Sequence, residues 1–270
     1  YIAKRVCAAK VHGRTQTMTL TVCVVKYGDK VSSGHIRSLF ARHFSEAQVL
    51  ILNNKPGAAA DDEIQGSNAG HEFSGYLEVL EEASVKGQVV VLNDTFFKNH
   101  FTLGWLGLLK KVLGKSRVED ASIYGDVRYD GTSLVERPNP FFASWIFCLS
   151  GETAIREFRR CLSVLLSDPY PRWSPAYERF LTDWLQGSTW YKGWHRADVS
   201  EELLSVKKRN IFWEHRLSAL LLGSEVVTLS SMGEASPLLY RCLRWSDRLF
   251  TAIYRVVGLI SRRRANFDTD

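Results

Sequence analysis

The chain has 270 residues, 45% of them hydrophobic and 24% charged, with a formal net charge of +6. Those fractions describe a folded globular protein and exclude a disordered tail, a collagen-like repeat and a disulfide-dense scaffold. The charge is unevenly placed, because residues 1–17 carry Lys4, Arg5, Lys10 and Arg14 without an acid, and residues 236–264 carry seven Arg against Asp247 alone. The rest is close to neutral, which argues against a broad basic face for nucleic acid. Cys7, Cys23, Cys148, Cys161 and Cys242 are scattered and never spaced CxxC, so neither a zinc site nor a disulfide framework is expected and a reducing compartment is. No run of ~18 uncharged apolar residues is present, so no membrane span is expected. Residues 1–17, ahead of Met18, are expected to be a vector-derived or basic arm.

In chain order, Thr19–Tyr27 (TLTVCVVKY) is a β-branched run of strand length that ends at Gly28-Asp29. Residues 35–44 place Ile36, Leu39, Phe40 and Phe44 at helical spacing. Gln48–Leu52 is a second strand stopped by Asn53-Asn54-Lys55-Pro56-Gly57, residues 73–83 are helical, and Gln88–Leu92 is a third strand ending at Asn93-Asp94-Thr95. Continuous apolar strands alternating with helices predict a parallel sheet covered on both faces, with ligands outside the strands' carboxyl ends. Residues 121–124 and Phe141–Leu149 read as later strands, and residues 152–166 as a helix capped by Ser150. Residues 168–195 read as an irregular aromatic stretch. Residues 200–222 form a helix capped by Ser200, and Ser236-Pro237 opens the last helix.

Between the second and third strands, Gly66, Gly70 and Gly75 suggest backbone in close approach to a ligand ahead of a helix N-terminus. The spacing is neither GxGxxG nor a P-loop.

The ordered succession VVKY, ILNN, SNAGHEFSG and VVLNDT resembles the nucleotide-sugar half of inverting GT-A glycosyltransferases of bacterial capsule, O-antigen and rhamnan-type polysaccharide synthesis. The resemblance runs over residues 19–150 and more loosely to 225. It implies an α/β, GT-A-like (Rossmann-related), mostly parallel sheet flanked by helices over 18–225, followed by a C-terminal basic amphipathic helical extension over 226–270. It places Lys26, Tyr27, Asn53, Asn54, Asn68 and Gly70 at the nucleotide of the donor, and Asn93, Asp94 and Thr95 at its diphosphate. The family's paired acids are reduced here to Asp94, which becomes the candidate ligand of a divalent cation, Mg²⁺ or Mn²⁺. Without metal, Lys26 or Arg128 would neutralise the diphosphate.

Transfer to an acceptor hydroxyl needs a base. Asp126, Glu178 and Asp183 are the candidates, and the spacing does not choose among them. Ser144, Trp145, Trp190, Trp194 and His195 are candidate acceptor contacts, since aromatic faces stack on sugars. The resemblance also implies that a Glu on the helix carrying Lys207-Lys208-Arg209-Asn210 and Glu214-His215 buttresses the acceptor side. The last helix, residues 236–264, interleaves apolar residues with Arg241, Arg244, Arg248 and Arg255. It suits the surface of an anionic membrane, or packing on the body or on a sister chain.

The expected protein is a cytoplasmic, peripherally membrane-associated hexosyltransferase acting on a growing, lipid-linked surface glycan. The competing expectations are a non-catalytic nucleotide-sugar or glycan-binding scaffold and a nucleotide-dependent α/β enzyme using an adenosine cofactor.

Overall fold

The computed structural model describes residues 20–82, 85–129, 134, 136–168, 171–186 and 200–249. The expected arm 1–17, the candidates Trp190, Trp194 and His195, and the last helix beyond residue 249 lie outside them.

The strands are β1 (Leu20–Lys26), β2 (Gln48–Asn53), β3 (Ile64–Gln65), β4 (Gln88–Asn93), β5 (Ser122–Arg128), β6 (Phe141–Ser150) and β7 (Thr228–Ser231). They form one sheet in the order β3-β2-β1-β4-β6-β5-β7. β1 pairs in parallel with β2 and β4, and β5 with β7, while β6 runs antiparallel to both β4 and β5.

The central strands are apolar on both faces, and alternation assigns each residue a side. Cys23, Val25, Val89, Val91, Phe147 and Leu149 belong to a core beneath α2 (His71–Glu82), α5 (Glu152–Leu166), α6 (Pro175–Gln186) and α7 (Glu201–Leu222). Val22, Val24, Val90, Leu92, Ile146 and Cys148 belong to the opposite core, beneath α1 (Ser33–His43), α3 (Thr95–Asn99) and α4 (Thr102–Lys115). A helical segment over residues 237–249 covers that second core through Leu243.

Several expectations are corrected. α6 occupies part of the stretch read as irregular, with Pro175 at its first position and Tyr177, Leu181 and Leu185 buried at i, i+4, i+8. α5 is capped by Gly151, at φ 86°, and not by Ser150. β7 lies past residue 225 yet hydrogen-bonds to β5, so residues 226–249 belong to the body and not to a separate extension. Among the described residues no helix is long and apolar enough to cross a membrane. Cys23, Cys148 and Cys161 are buried free thiols, and Cys242 is an exposed one.

Gly66 and the two glycines of the SNAGHEFSG element that follows it serve packing. A Cβ on Gly66 would lie 2.1 Å from Oδ1 of Asn54, and one on Gly70 2.4 Å from a methyl of Leu166. A Cβ on Gly75 would lie 2.7 Å from Cγ1 of Val25, in the central strand, and 3.0 Å from Nδ2 of Asn54. Helix α2 can rest on β1 only because residue 75 has no side chain. Gly75→Ala gains up to about 1 kcal/mol of helix propensity, but overpacking a rigid β-branched neighbour costs about 1–3 kcal/mol. Urea unfolding is expected to show a net loss of stability.

Candidate functional site

The chain leaves β1 towards β2 and β3 and then returns to the other side of β1 as β4. The crevice between the carboxyl ends of β1 and β4 is the position where such sheets bind ligands. Tyr27 follows β1 and Asp94 follows β4, and the Tyr27 N–H donates to Asp94 Oδ2 at 3.2 Å across that point.

β6 enters from the same end. Its pairing with β4 stops at Leu92–Ile146, so Phe141–Trp145 run on past β4 and lack a strand on that side. Side chains supply the missing bonds. The Ser144 N–H donates to Glu214 Oε1 at 2.6 Å, Tyr76 Oη donates to the Ser144 carbonyl at 2.8 Å, and the Phe142 N–H donates to Ser218 Oγ at 3.0 Å. This overhang brings α2, β6 and α7 together around a cleft of about 260 Å³. Tyr27, Glu72, Asn93, Asp94, Thr95 and Ser144 line it together with Trp184 of α6 and Lys207, Asn210 and Glu214 of α7. A larger cavity of about 440 Å³, beside Arg172 and Arg216, contains no residue from the end of β1 or β4.

The cleft's two glutamates have the perturbed acidity. Burial pushes the Glu72 carboxyl up to about 7, helped by the charges of Glu214 and Asp94. Burial likewise raises Glu214, with Asp126 adding to it and the Ser144 N–H and Arg128 opposing. His71, beside the Tyr27 ring at 6.0 Å, is depressed by burial and by the positive charges of Arg209 and Lys207. The cleft therefore combines protonatable carboxyls with a positive field from α7. Oδ1 of Asn210 is buried without a hydrogen-bond partner among the described residues, an acceptor open to a donor on a ligand.

The sequence candidates divide sharply. Tyr27, Asn93, Asp94, Thr95 and Ser144 line the cleft. Lys26 does not; it is buried in an ion pair with Glu63 at 2.6 Å. Burial works against the Glu63 charge, but hydrogen bonds from Lys26, Ser33 and Asn53 hold the carboxyl down to about 2. Asn53 is buried too, accepting from the Gly28 N–H at 2.9 Å and donating to the Ala58 carbonyl at 2.8 Å. Asn54 stands one layer behind Tyr27, donating to Tyr27 Oη at 3.3 Å and to the His71 carbonyl at 2.6 Å. Asn68 and Gly70 shape the turn into α2, with Asn68 at φ 56° and the Gly70 N–H donated to Ser74 Oγ at 2.9 Å.

The three candidate bases lie outside the cleft's lining. Asp126 is fully buried and saturated. Arg128, Arg244 and Trp145 Nε1 donate to Oδ2 at 3.0–3.2 Å, and Tyr240 Oη donates to Oδ1 at 2.7 Å. Burial opposes its charge, yet the two guanidiniums hold it below the usual carboxylate range. Trp145 and Arg128 are thus committed to Asp126. Glu178 is bound by Lys208 and Trp173 Nε1. Asp183 is exposed on α6.

A divalent cation needs open carboxylate oxygens. Asp94, expected to provide one, is ion-paired with Lys98 and takes the Tyr27 N–H on the same oxygen. Among the described residues no three His, Cys, Asp or Glu side chains gather to hold a metal. Lys98 thus holds the place on Asp94 Oδ2 that a divalent cation would contest, and Lys207 brings a second cation to the cleft's lining.

Comparison with family models, curated proteins and solved structures gives no match for this chain.

Two measurements separate structural acids from cleft acids. Asp126→Asn leaves Arg128 and Arg244 without their buried counter-charge, and a loss of about 3–5 kcal/mol is expected in denaturant unfolding. In the parent that contribution is intact above the ordinary carboxyl value of 3.8 and is lost as pH falls, because the folded value is the lower one. Glu72 has the opposite sign. The native carboxyl keeps its proton up to about 7 where the unfolded one releases it near 4.5, so its contribution weakens as pH rises between them. Thermal melts across that window are expected to decline less steeply for Glu72→Gln.

Proposed function

We propose that the protein is a GT-A-like glycosyltransferase that moves a sugar from a nucleoside-diphosphate donor to a glycan hydroxyl in the cleft between β1, β4 and the β6 overhang. The observation that carries this reading is the gathering of Tyr27, Asp94, Lys207, Glu72 and Glu214 at the sheet's crossover point. A mostly parallel sheet with one reversed strand beside β4 is compatible with the family suggested by VVKY, ILNN and VVLNDT.

Each end of the cleft has a separate task. Tyr27 offers a ring to the base or ribose, and Asp94, fixed by Lys98 and the Tyr27 N–H, accepts hydrogen bonds from ribose hydroxyls. Lys207 counters the leaving diphosphate, a part that a metal could otherwise play. Glu72, neutral below about 7, sits beside this anion without repelling it and donates a hydrogen bond.

At the other end Glu214 is held by the Ser144 N–H through one oxygen. Its second oxygen takes the proton of the acceptor hydroxyl as that oxygen attacks the anomeric carbon. The nucleoside diphosphate leaves from the opposite face, so configuration inverts. A lifted carboxyl is a stronger base than a solvent-exposed one, as this step requires.

A second reading, a scaffold that binds nucleotide sugar without turnover, draws support from the Asp94–Lys98 ion pair, which already occupies the acid that follows β4.

Calorimetric titration with UDP, GDP, dTDP and S-adenosylmethionine, in EDTA and in Mn²⁺, tests the site. A nucleoside diphosphate is expected to bind in EDTA, and Lys207→Met to weaken it about tenfold, near 1.4 kcal/mol. Glu214→Gln is expected to leave that binding intact while transfer falls about 10²–10⁴-fold. Binding without any sugar transfer establishes the scaffold, and absence of diphosphate binding sinks both readings.

A further inference from the structure

The helical segment 237–249 has two unlike faces. One is tied to the body: Tyr240 Oη donates to Asp126 Oδ1 and to the Val127 carbonyl, Leu243 is buried, and Arg244 pairs with Asp126. Asp247, also inward, accepts from the Phe101 N–H and Trp105 Nε1 at 3.0 Å each and contacts His100 Nδ1 at 2.7 Å.

The other face is apolar and open. Leu238, Trp245 and Leu249 are 76%, 66% and 45% exposed, with Cys242 exposed between them. At ~100° per residue these four fall within an arc of about 60°. Arg241 and Arg248 are exposed along one side of the ridge, and the segment's one acid, Asp247, points inward. Phe101 and Leu103, 46% and 55% exposed, add apolar area where α4 meets the segment.

We infer that this face docks at the surface of an anionic bilayer, with Leu238, Trp245 and Leu249 at the boundary of headgroups and acyl chains and Arg241 and Arg248 on lipid phosphates. Charge decides the occupant. A self-complementary pairing of two copies would set the arginines of one ridge against those of the other with no acid between them, which disfavours it. A phosphate-bearing surface meets both the ridge and the cations. Because the segment is anchored through Asp126 to Trp145, beside Ser144 of the cleft, docking fixes the body relative to the surface. This inference does not depend on the proposed chemistry.

Deleting the segment would strip Asp126 of Tyr240 and Arg244, so the test uses substitutions on the exposed face of the full chain. Leu238→Ser/Trp245→Ser and Arg241→Gln/Arg248→Gln are expected to melt like the parent. In co-sedimentation, the parent is expected to bind vesicles of equal phosphatidylserine and phosphatidylcholine and not phosphatidylcholine alone. Each double variant is expected to bind about tenfold less or weaker still. Equal binding to both vesicle types, absence of binding, or variants that bind like the parent would overturn the inference. So would a dimer in sedimentation equilibrium that dissociates in Trp245→Ser, which would assign the face to a second copy.

Discussion

The reach of β6 beyond β4 is the constraint on which the site depends. A reversed strand that outlasts its neighbour exposes backbone groups at the sheet's carboxyl end, and buried N–H and C=O groups demand partners. At Ser144 the partners are Glu214 from α7 and Tyr76 from α2. One backbone requirement therefore fixes the separation of two helices, aims one carboxylate, and opens the space that Glu72 and Lys207 border. The candidate chemistry occupies the place where regular sheet pairing ends.

Buried acids in this protein fall into two physical groups. Asp126 and Glu63 are saturated by cations and hydrogen-bond donors, and their acidity is strengthened despite burial. They join elements: Asp126 links β5, β6 and the segment 237–249, while Glu63 locks the end of β1 to the loop after β2. Glu72 and Glu214 have fewer opposing charges and face one another electrostatically, so burial prevails and their acidity weakens. Carboxyls left in that condition carry a stability cost, and such costs concentrate where proton transfer or ligand binding requires them. Burial alone does not discriminate, since Asp126 is the most buried of these acids and the least able to exchange a proton.

The sheet was legible in the sequence wherever strands were apolar on both faces. TLTVCVVK, QVLIL, QVVVL and FFASWIFCL each became a strand within a residue or two of its expected limits. The two-residue β3 and the polar edge strand β7 (TLSS) carry no comparable pattern, because edge strands need no double-sided burial. α4 was obscured by Gly104, Gly107 and Gly114 within an apolar run. α6 was hidden by its aromatic surroundings although Pro175 and the spacing of Tyr177, Leu181 and Leu185 announce it. At the site, residues that directly follow strands β1 and β4 were recoverable, because topology alone sends strand ends to the cleft. Asp126 was misread because its neutralising partners include Arg244, 118 residues away. Glu72 and Glu214 were passed over as cleft acids because their altered acidity exists only once α2 and α7 meet across β6.

Positive charge in the described part of the chain has two unrelated physical roles. In the cleft Lys207 stands among Glu72, Asp94 and Glu214, so an anion would be selected by placed groups rather than by a general field; at a Debye length of ~8 Å in physiological salt, the distant arginines add little there. On the segment 237–249 the arginines divide again. Arg244 turns inward and is spent on Asp126, while Arg241 and Arg248 stay in solvent. The same helix thus neutralises a buried acid with one arginine and keeps an acid-free cationic edge with the others. Solubility would be served equally well by mixed charge on that edge. A ridge of leucine and tryptophan flanked by arginine alone is the pattern expected of a face whose partner is itself negative and apolar.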